Sequence, residues 1–203
     1  MLKLDHIALG ANDLEKSCET LSQQLGVLPF GGGEHELFGT HNKLWRIETA
    51  DYPVYLELIA ANPKAEPKRA RWFGLEKPFL SEDIQLLGFI ASTQNIDGLV
   101  QKPPFDLLDV IDVTRGVLNW RFGITKDGAL LDDGALPYLI EWQGGRHPLD
   151  GVAPQHIELK SMAGKALDGL DLNWPCMLAR GGAQALSVEL IAANGETLRF
   201  KRA

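Results

Sequence analysis

The chain has 203 residues, and its 27 acidic and 20 basic side chains give a formal net charge of −7 at pH 7. With 45% hydrophobic and 23% charged residues, the composition is typical of a globular protein and excludes disordered, collagen-like and disulfide-dense chains. The acidic balance argues against a nucleic-acid partner, because such binding relies on clustered Lys and Arg. No apolar run approaches the ~20 residues that span a bilayer, and the N-terminus lacks a signal-peptide layout. We therefore expect a cytoplasmic protein without a membrane partner.

The N-terminal residues predict a strand followed by a helix. Residues 2–9 predict a strand, with Leu4, His6 and Ala8 on one face and Ile7 and Leu9 on the other. Apolar residues then recur at helical spacing, between Asn12 as the N-cap and Gly26 as the end of the helix.

Turn and strand patterns follow the helix. Three consecutive glycines at 31–33 predict a turn. Residues 42–48 and 54–62 predict strands, the second with Tyr55 and Glu57 on one face. The unit is therefore a strand, a helix and an antiparallel meander.

The same order of elements recurs in the second half of the chain. Residues 86–92, 117–125 and 136–142 predict strands, and residues 96–101 predict a short helix after the first of them. The connection between the two units is rich in Pro and charge, which is typical of a solvated linker.

A third and shorter repeat is visible in the sequence near the C-terminus. HIEL at 156–159 resembles HIAL at 6–9, and ELIAAN occurs at both 57–62 and 189–194. Internal repeats indicate repeated structural units. We therefore predict a single domain with four parts: module 1 (1–62), a linker (63–80), module 2 (81–148) and a shortened C-terminal repeat (152–203).

One face of each such sheet is covered by its helix, and the other face is left to line a cleft. His6, Tyr55 and Glu57 share that second face in module 1. An imidazole and a carboxylate on adjacent strands make half of a divalent-metal site, and the repeat predicts the other half.

Several motifs resemble those of glyoxalase-like proteins of the vicinal oxygen chelate superfamily, over residues 3–148. These are DHI at 5–7, GTHN at 39–42, YLEL at 55–58, and LPYLIEW at 136–142 followed by His147 and Pro148. The resemblance implies an α+β fold in which paired βαβββ modules form a curled mixed sheet around a cleft, here with an additional C-terminal βαββ segment. It also implies chelation of vicinal substrate oxygens by a divalent metal.

Metal-dependent members of that superfamily hold the metal on the first and last strands of each module. Carried onto this sequence, the resemblance implies His6 and Glu57 from module 1 and Glu141 from module 2 as ligands. Phe89 falls at the remaining position and cannot bind metal. The implied ion is Zn, Ni, Mn, Fe or Co, acting as a Lewis acid in isomerase, lyase, dioxygenase or related chemistry. Glu57 or Glu141 would move a proton.

Three arrangements of this site are open. In the first, the three ligands hold the metal together with water. In the second, His41 or His147 completes the set. In the third, His156 and Glu189 of the C-terminal repeat take the place of the module 2 ligands.

We expect a small oxygenated metabolite as the ligand, and a homodimer as the assembly. The side chains expected to contact the ligand are His41, Asn42, Trp120, Trp142 and His147. The competing interpretation, favoured by Phe89, is a metal-free protein that binds or sequesters a small molecule on the same fold.

Overall fold

The computed structural model describes residues 1–79, 81, 84–175 and 185–202, and the backbone of residues 177–179. The strands are β1 (Leu2–Gly10), β2 (Gly31–His35), β3 (Thr40–Glu48), β4 (Val54–Ala61), β5 (Gln85–Ser92), β6 (Leu108–Arg115), β7 (Leu118–Thr125), β8 (Tyr138–Gln143), β9 (Ile157–Ala163), β10 (Leu172–Asn173), β11 (Met177–Ala179), β12 (Ser187–Ile191) and β13 (Thr197–Lys201). The helices are α1 (Leu14–Leu25) and α2 (Ile96–Leu99), with 3-10 turns at Trp72–Gly74, Leu131–Gly134 and Lys165–Gly169. Within these residues, no helix has the length and apolar character needed to cross a membrane.

The first module has the strand order β1-β4-β3-β2, with β1 and β4 parallel and the other pairs antiparallel. Helix α1 buries its apolar face against this sheet. Its N-cap is Asp13 instead of the predicted Asn12, because the Asp13 carboxylate accepts from the backbone N–H of Lys16. The helix ends at Gly26, as predicted, in the left-handed conformation that glycine favours.

The second module repeats this arrangement with the strand order β5-β8-β7-β6, in which β5 and β8 are parallel. Strands β1 and β5 pair antiparallel at the centre and join the modules into one mixed sheet. This open sheet with few helices confirms the predicted α+β fold class.

Two strands of the modules were not predicted. The glycine-rich segment forms strand β2 instead of a turn, and β6 had no predicted counterpart. A Cβ at Gly32 would lie only 2.1 Å from the backbone oxygen of Asn42, so glycine lets β2 pair closely with β3. In this segment the backbone conformation follows from tertiary packing.

The connection between the modules is partly buried, which corrects its prediction as a solvated segment. Trp72, Phe73 and Leu75 are each at most 4% exposed and belong to the hydrophobic core. The Trp72 ring stacks on Phe38 with 3.7 Å between ring centroids. This segment therefore contributes to the interior of the domain.

The C-terminal segment extends the sheet of module 1. Strand β9 joins the edge of β3 in parallel, and β12 and β13 follow antiparallel to β9 and to each other. Since β9 and β12 are antiparallel, whereas the first and last strands of both modules are parallel, the repeated letters occur in different strand pairings. Ala193 donates to the carbonyl of Leu25 at the end of α1, which attaches the segment to module 1.

Candidate functional site

A cleft of about 370 Å³, measured with its open mouth, lies on the face of the sheet away from α1. Module 1 contributes most of the polar lining: His6, His35, Asn42 and Glu57. The connection and module 2 contribute the aromatic wall: Trp72, Phe73, Trp120, Phe122 and Trp142. The cleft therefore has one polar side and one apolar side.

Strand alternation brings the polar side chains together. His6 pairs with Tyr55 across β1 and β4, and Glu57 follows two residues after Tyr55, so all three point into the cleft. Asn42 on the neighbouring strand β3 lies on the same face and reaches Glu57.

An irregularity in β1 adds a carboxylate to this group. The pairing of β1 with β5 shifts between Leu4 and His6, which leaves Asp5 as an extra residue. Such bulges redirect a side chain. The Asp5 carboxylate accepts from His6 Nδ1 at 2.8 Å, and both residues are buried.

His6 lies between two buried carboxylates. Its Nδ1 contacts Asp5, its Nε2 lies 3.4 Å from Glu57 Oε2, and its ring stacks on Tyr55 with centroids 4.3 Å apart. Burial by itself would lower the pKa of His6, but the hydrogen bonds to Asp5 and Glu57 outweigh it and raise the pKa above 6.5. The environment therefore favours the protonated, cationic form of His6.

Both carboxylates beside His6 are ionised. Burial favours their neutral forms, but the hydrogen bond and the charge of His6 lower the pKa of Glu57 to about 2. Hydrogen bonds from His147 and His6 likewise overcome burial and hold the pKa of Asp5 far below its usual range. Asp5, His6 and Glu57 thus form a buried ionic triad.

The polar chain continues from Glu57 toward module 2. Asn42 Nδ2 donates to Glu57 Oε1 at 2.5 Å, and Asn42 Oδ1 accepts from Arg115 Nη1 at 3.1 Å. Arg115 is the last residue of β6, so this contact links the two modules across the cleft.

His35 is the second partner of Arg115 Nη1, which lies 3.1 Å from His35 Nε2. Burial lowers the pKa of His35 to about 3, so the ring is neutral at physiological pH. With Nε2 as the acceptor, Nδ1 carries the proton and donates to Thr40 Oγ1 at 3.2 Å. The same hydroxyl oxygen accepts from Trp72 Nε1 at 3.0 Å.

The opposite end of the chain lies at the cleft mouth. Trp142 Nε1 donates to Asp5 Oδ2 at 2.8 Å, and His147 Nε2 lies 3.6 Å from the same oxygen. The His147 ring packs edge-on against Trp142 and Tyr55. We call the whole set of connected residues the cleft network: Trp72, Thr40, His35, Arg115, Asn42, Glu57, His6, Asp5, Trp142 and His147.

The sequence matches the family model of the glyoxalase-like domain over residues 4–174. The chain belongs to this family. Its fold is similar to that of Streptomyces coelicolor methylmalonyl-CoA epimerase in complex with 2-nitronate-propionyl-CoA, at 20% identity over 71% of this chain and 100% of that chain, with a TM-score of 0.47. The methylmalonyl-CoA epimerase of Mycobacterium tuberculosis is 18% identical over 74% of this chain and 91% of that chain, with a TM-score of 0.44. No curated protein matches the chain.

Six of the residues proposed from the sequence meet in or at the cleft of this glyoxalase-like domain: His6, Asn42, Glu57, Trp120, Trp142 and His147. Glu141 does not. It lies on the other face of β8, between Ile140 and Trp142, and its Oε2 accepts from the backbone N–H of Ile96 at 2.9 Å, at the start of α2. Glu141 thus lies outside the cleft and supports the helix.

The other proposed histidines and carboxylate also lie elsewhere. His41 points to the side of β3 opposite Asn42, into a surface pocket beside the start of α1. His156 belongs to the connection before β9. Glu189 is engaged outside the cleft by Lys160 Nζ at 2.5 Å and Arg199 Nε at 2.7 Å.

Five members of the cleft network were not proposed from the sequence: Asp5, His35, Thr40, Trp72 and Arg115. Asp5 is part of the DHI motif, but its direction depends on the bulge in β1. His35 and Arg115 lie on the two unpredicted strands, and Trp72 lies in the segment interpreted as a linker. Trp72 itself was the signal in the sequence that the charged segment is partly buried, since an aromatic residue of this size usually buries its ring.

The residues of this glyoxalase-like domain do not fit the implied divalent metal. Ile90 pairs with Tyr138 as His6 pairs with Tyr55, so Ile90, not Phe89, is the counterpart of His6, and Ile140 is that of Glu57. Neither isoleucine can be a ligand. Both ring nitrogens of His6 are already engaged. In the part of the chain that the structure describes, no group of three or more His, Cys, Asp or Glu could hold a metal.

Proposed function

We propose that this glyoxalase-like domain binds a small oxygenated molecule in the cleft through its own side chains, without a resident divalent metal. The observation that carries the proposal is the continuous cleft network facing an aromatic wall. Ligand sites are typically apolar concave spaces with a few fixed polar groups. The cleft has that composition, with aromatic rings on one side and hydrogen-bonded polar groups on the other.

The aromatic wall suits a planar, apolar ligand body. The rings of Trp120 and Trp142 lie 5.5 Å apart at an angle of 49°, and Trp142 is held by its bond to Asp5. Such rings offer rigid faces for stacking. Opposite them, Arg115 places a cationic donor where a ligand oxygen would lie, beside the ion pair of His6 and Glu57.

The protonation states favour binding over proton abstraction. A general base works best with a pKa near the operating pH, but the pKa of Glu57 is about 2. The raised pKa of His6 favours a proton on the imidazole beside Glu57. The resting network therefore supports holding a polarised oxygen by hydrogen bonds.

A titration of protein purified and assayed in EDTA tests this proposal. Quenching of tryptophan fluorescence by phenylacetate and phenylpyruvate reports occupation beside the aromatic wall. We expect saturable quenching that is unchanged by Zn, Ni, Mn, Fe or Co. Glu57→Gln disturbs both Asn42 and His6 and should weaken binding about tenfold.

The matched control is Glu141→Gln, which removes a carboxylate outside the cleft and should leave the affinity unchanged. Binding that appears only after a metal is added would overturn the metal-free proposal. Stoichiometric metal in a parallel sample purified without EDTA, lost in His6→Ala and Glu57→Ala, would favour the competing metal-dependent isomerase or lyase hypothesis.

A further inference from the structure

Arg115 is the arginine of the cleft, and among the described residues it has no carboxylate within ion-pair distance. Other arginines of the domain pair with acidic side chains: Arg46 with Glu48, Arg71 with Glu76, Arg121 with Asp97, Arg199 with Glu189 and Arg202 with Asp133. Within the described residues, the hydrogen bonds of Arg115 are to neutral partners, the amide of Asn42 and the ring of His35. Its charge is therefore available to a ligand.

The two contacts of Arg115 use the same nitrogen. Nη1 has two hydrogens, and it donates one to Asn42 Oδ1 and one to His35 Nε2. Within the described part of the chain, Nε and Nη2 have no hydrogen-bond partner and are not among the buried unsatisfied atoms. The guanidinium thus presents one open edge, which has the geometry that binds a carboxylate through two parallel hydrogen bonds.

Strand β2 makes room for this side chain. A Cβ at Gly33 would lie 3.1 Å from Arg115 Cδ, which is tighter than ordinary packing. His35 and Arg115 also line an adjoining surface pocket, to which Lys68 contributes. Arg115 therefore lies at the boundary between the aromatic cleft and this outer pocket.

We propose that the open edge of Arg115 binds an anionic oxygen group, so that the ligand of the cleft is an acid with a planar, apolar body. This inference rests on the proposed function and adds the substrate class. Asn42 separates the guanidinium from Glu57, because its amide nitrogen binds the carboxylate while its oxygen binds Nη1. The anionic group would lie on Arg115 and the ligand body beside Trp120 and Trp142.

Matched ligand pairs test the inference by fluorescence titration. Phenylacetate and phenylacetamide share a body and differ in charge, and benzylphosphonate replaces the carboxylate with a phosphonate. We expect phenylacetate to bind at least about tenfold more tightly than the amide. Tighter binding of benzylphosphonate than of phenylacetate would assign the phosphonate type of anion, and the reverse order would assign the carboxylate.

Variants of the arginine and its surroundings identify the group responsible. Arg115→Gln should weaken phenylacetate binding by about 10- to 100-fold and leave phenylacetamide unchanged. Arg115→Lys keeps the charge without the planar fork and should lose less. Gly33→Ala should weaken only acid binding, by displacing Arg115. Lys68→Gln, the matched loss of charge in the outer pocket, should have no effect.

The outcomes separate this inference from the proposed function. Equal affinities for acid and amide in the wild type, unaltered by Arg115→Gln, would overturn the anion site and leave cleft binding intact. Equal losses in Arg115→Gln and Lys68→Gln would also overturn it, since general charge would then explain the effect. Absence of quenching by acids and amides alike would overturn the proposed function itself. Circular dichroism spectra check the fold of each variant, and Arg115→Lys provides the test if Arg115→Gln does not fold.

Discussion

Replacing Glu57 with Gln removes the charge beside His6 Nε2 and preserves the size of the side chain. In the folded protein the pKa of Glu57 falls from 4.5 to about 2. One pKa unit is equivalent to about 1.4 kcal/mol, so the ionised carboxylate contributes about 3 kcal/mol to stability. We therefore expect Glu57→Gln to lose about 3 kcal/mol near neutral pH.

The contributions of Glu57 and His6 to stability change with pH in opposite directions. Because the folded pKa of Glu57 is the lower one, its contribution is complete above pH 4.5 and disappears as the pH falls toward 2. His6 has a raised folded pKa, so its contribution is complete below pH 6.5 and is lost as the pH rises through that folded value. The stabilisation from this pair is therefore greatest between pH 4.5 and 6.5.

Urea unfolding followed by tryptophan fluorescence, in EDTA and at a series of pH values, measures the effect. The difference between wild type and Glu57→Gln should fall to less than half its neutral value at about pH 3. Glu141→Gln controls for the loss of one negative charge outside the cleft. A difference that stays constant with pH, or a Gln variant as stable as the wild type at neutral pH, would refute the ionic triad.

Three further variants test other parts of the structure by the same unfolding assay. Gly32→Ala would place a Cβ 2.1 Å from a backbone oxygen of β3 and should cost about 2 kcal/mol or more, whereas Gly31→Ala, with open space around it, should stay within about 0.5 kcal/mol. Equal effects would contradict the close approach of β2. Trp142→Phe removes the hydrogen bond to the ionised Asp5 and should cost about 1.5–3 kcal/mol. Glu141→Ala removes an acceptor at the start of α2 and should cost about 1 kcal/mol without weakening phenylacetate binding; a loss of binding would return this residue to the site.

The sequence was sufficient for elements whose pattern is local. Alternation in β1 and β4 placed His6, Tyr55 and Glu57 on one face, and that face lines the cleft. Helical periodicity and Gly26 likewise defined α1, although its N-cap is one residue later than predicted. These features depend on neighbours in the chain, which a sequence displays directly.

The remaining features depend on contacts between distant residues. Arg115 reaches the cleft only because β6 pairs with β7, and the strand pattern of β6 was not recognised. The direction of Asp5 depends on the register of β1 against β5. The family resemblance implies a place for Glu141 in the cleft, but alternation along β8 turns its side chain away. The pairing of β5 with β8 makes Ile140 the counterpart of Glu57.

The antiparallel pairing of β1 with β5 joins two modules of the same strand order whose cleft faces are chemically unequal. Hydrogen-bond donors and charged groups lie mainly on the side of the cleft formed by module 1. Aromatic rings lie mainly on the side formed by the connection and module 2. A planar ligand between them would turn one of its two faces toward His6 and Glu57 and the other toward the tryptophans. With an acid group fixed on Arg115 as a third point, the two unlike sides of the cleft would support discrimination between enantiomers, because a mirror-image ligand could not satisfy all three contacts at once.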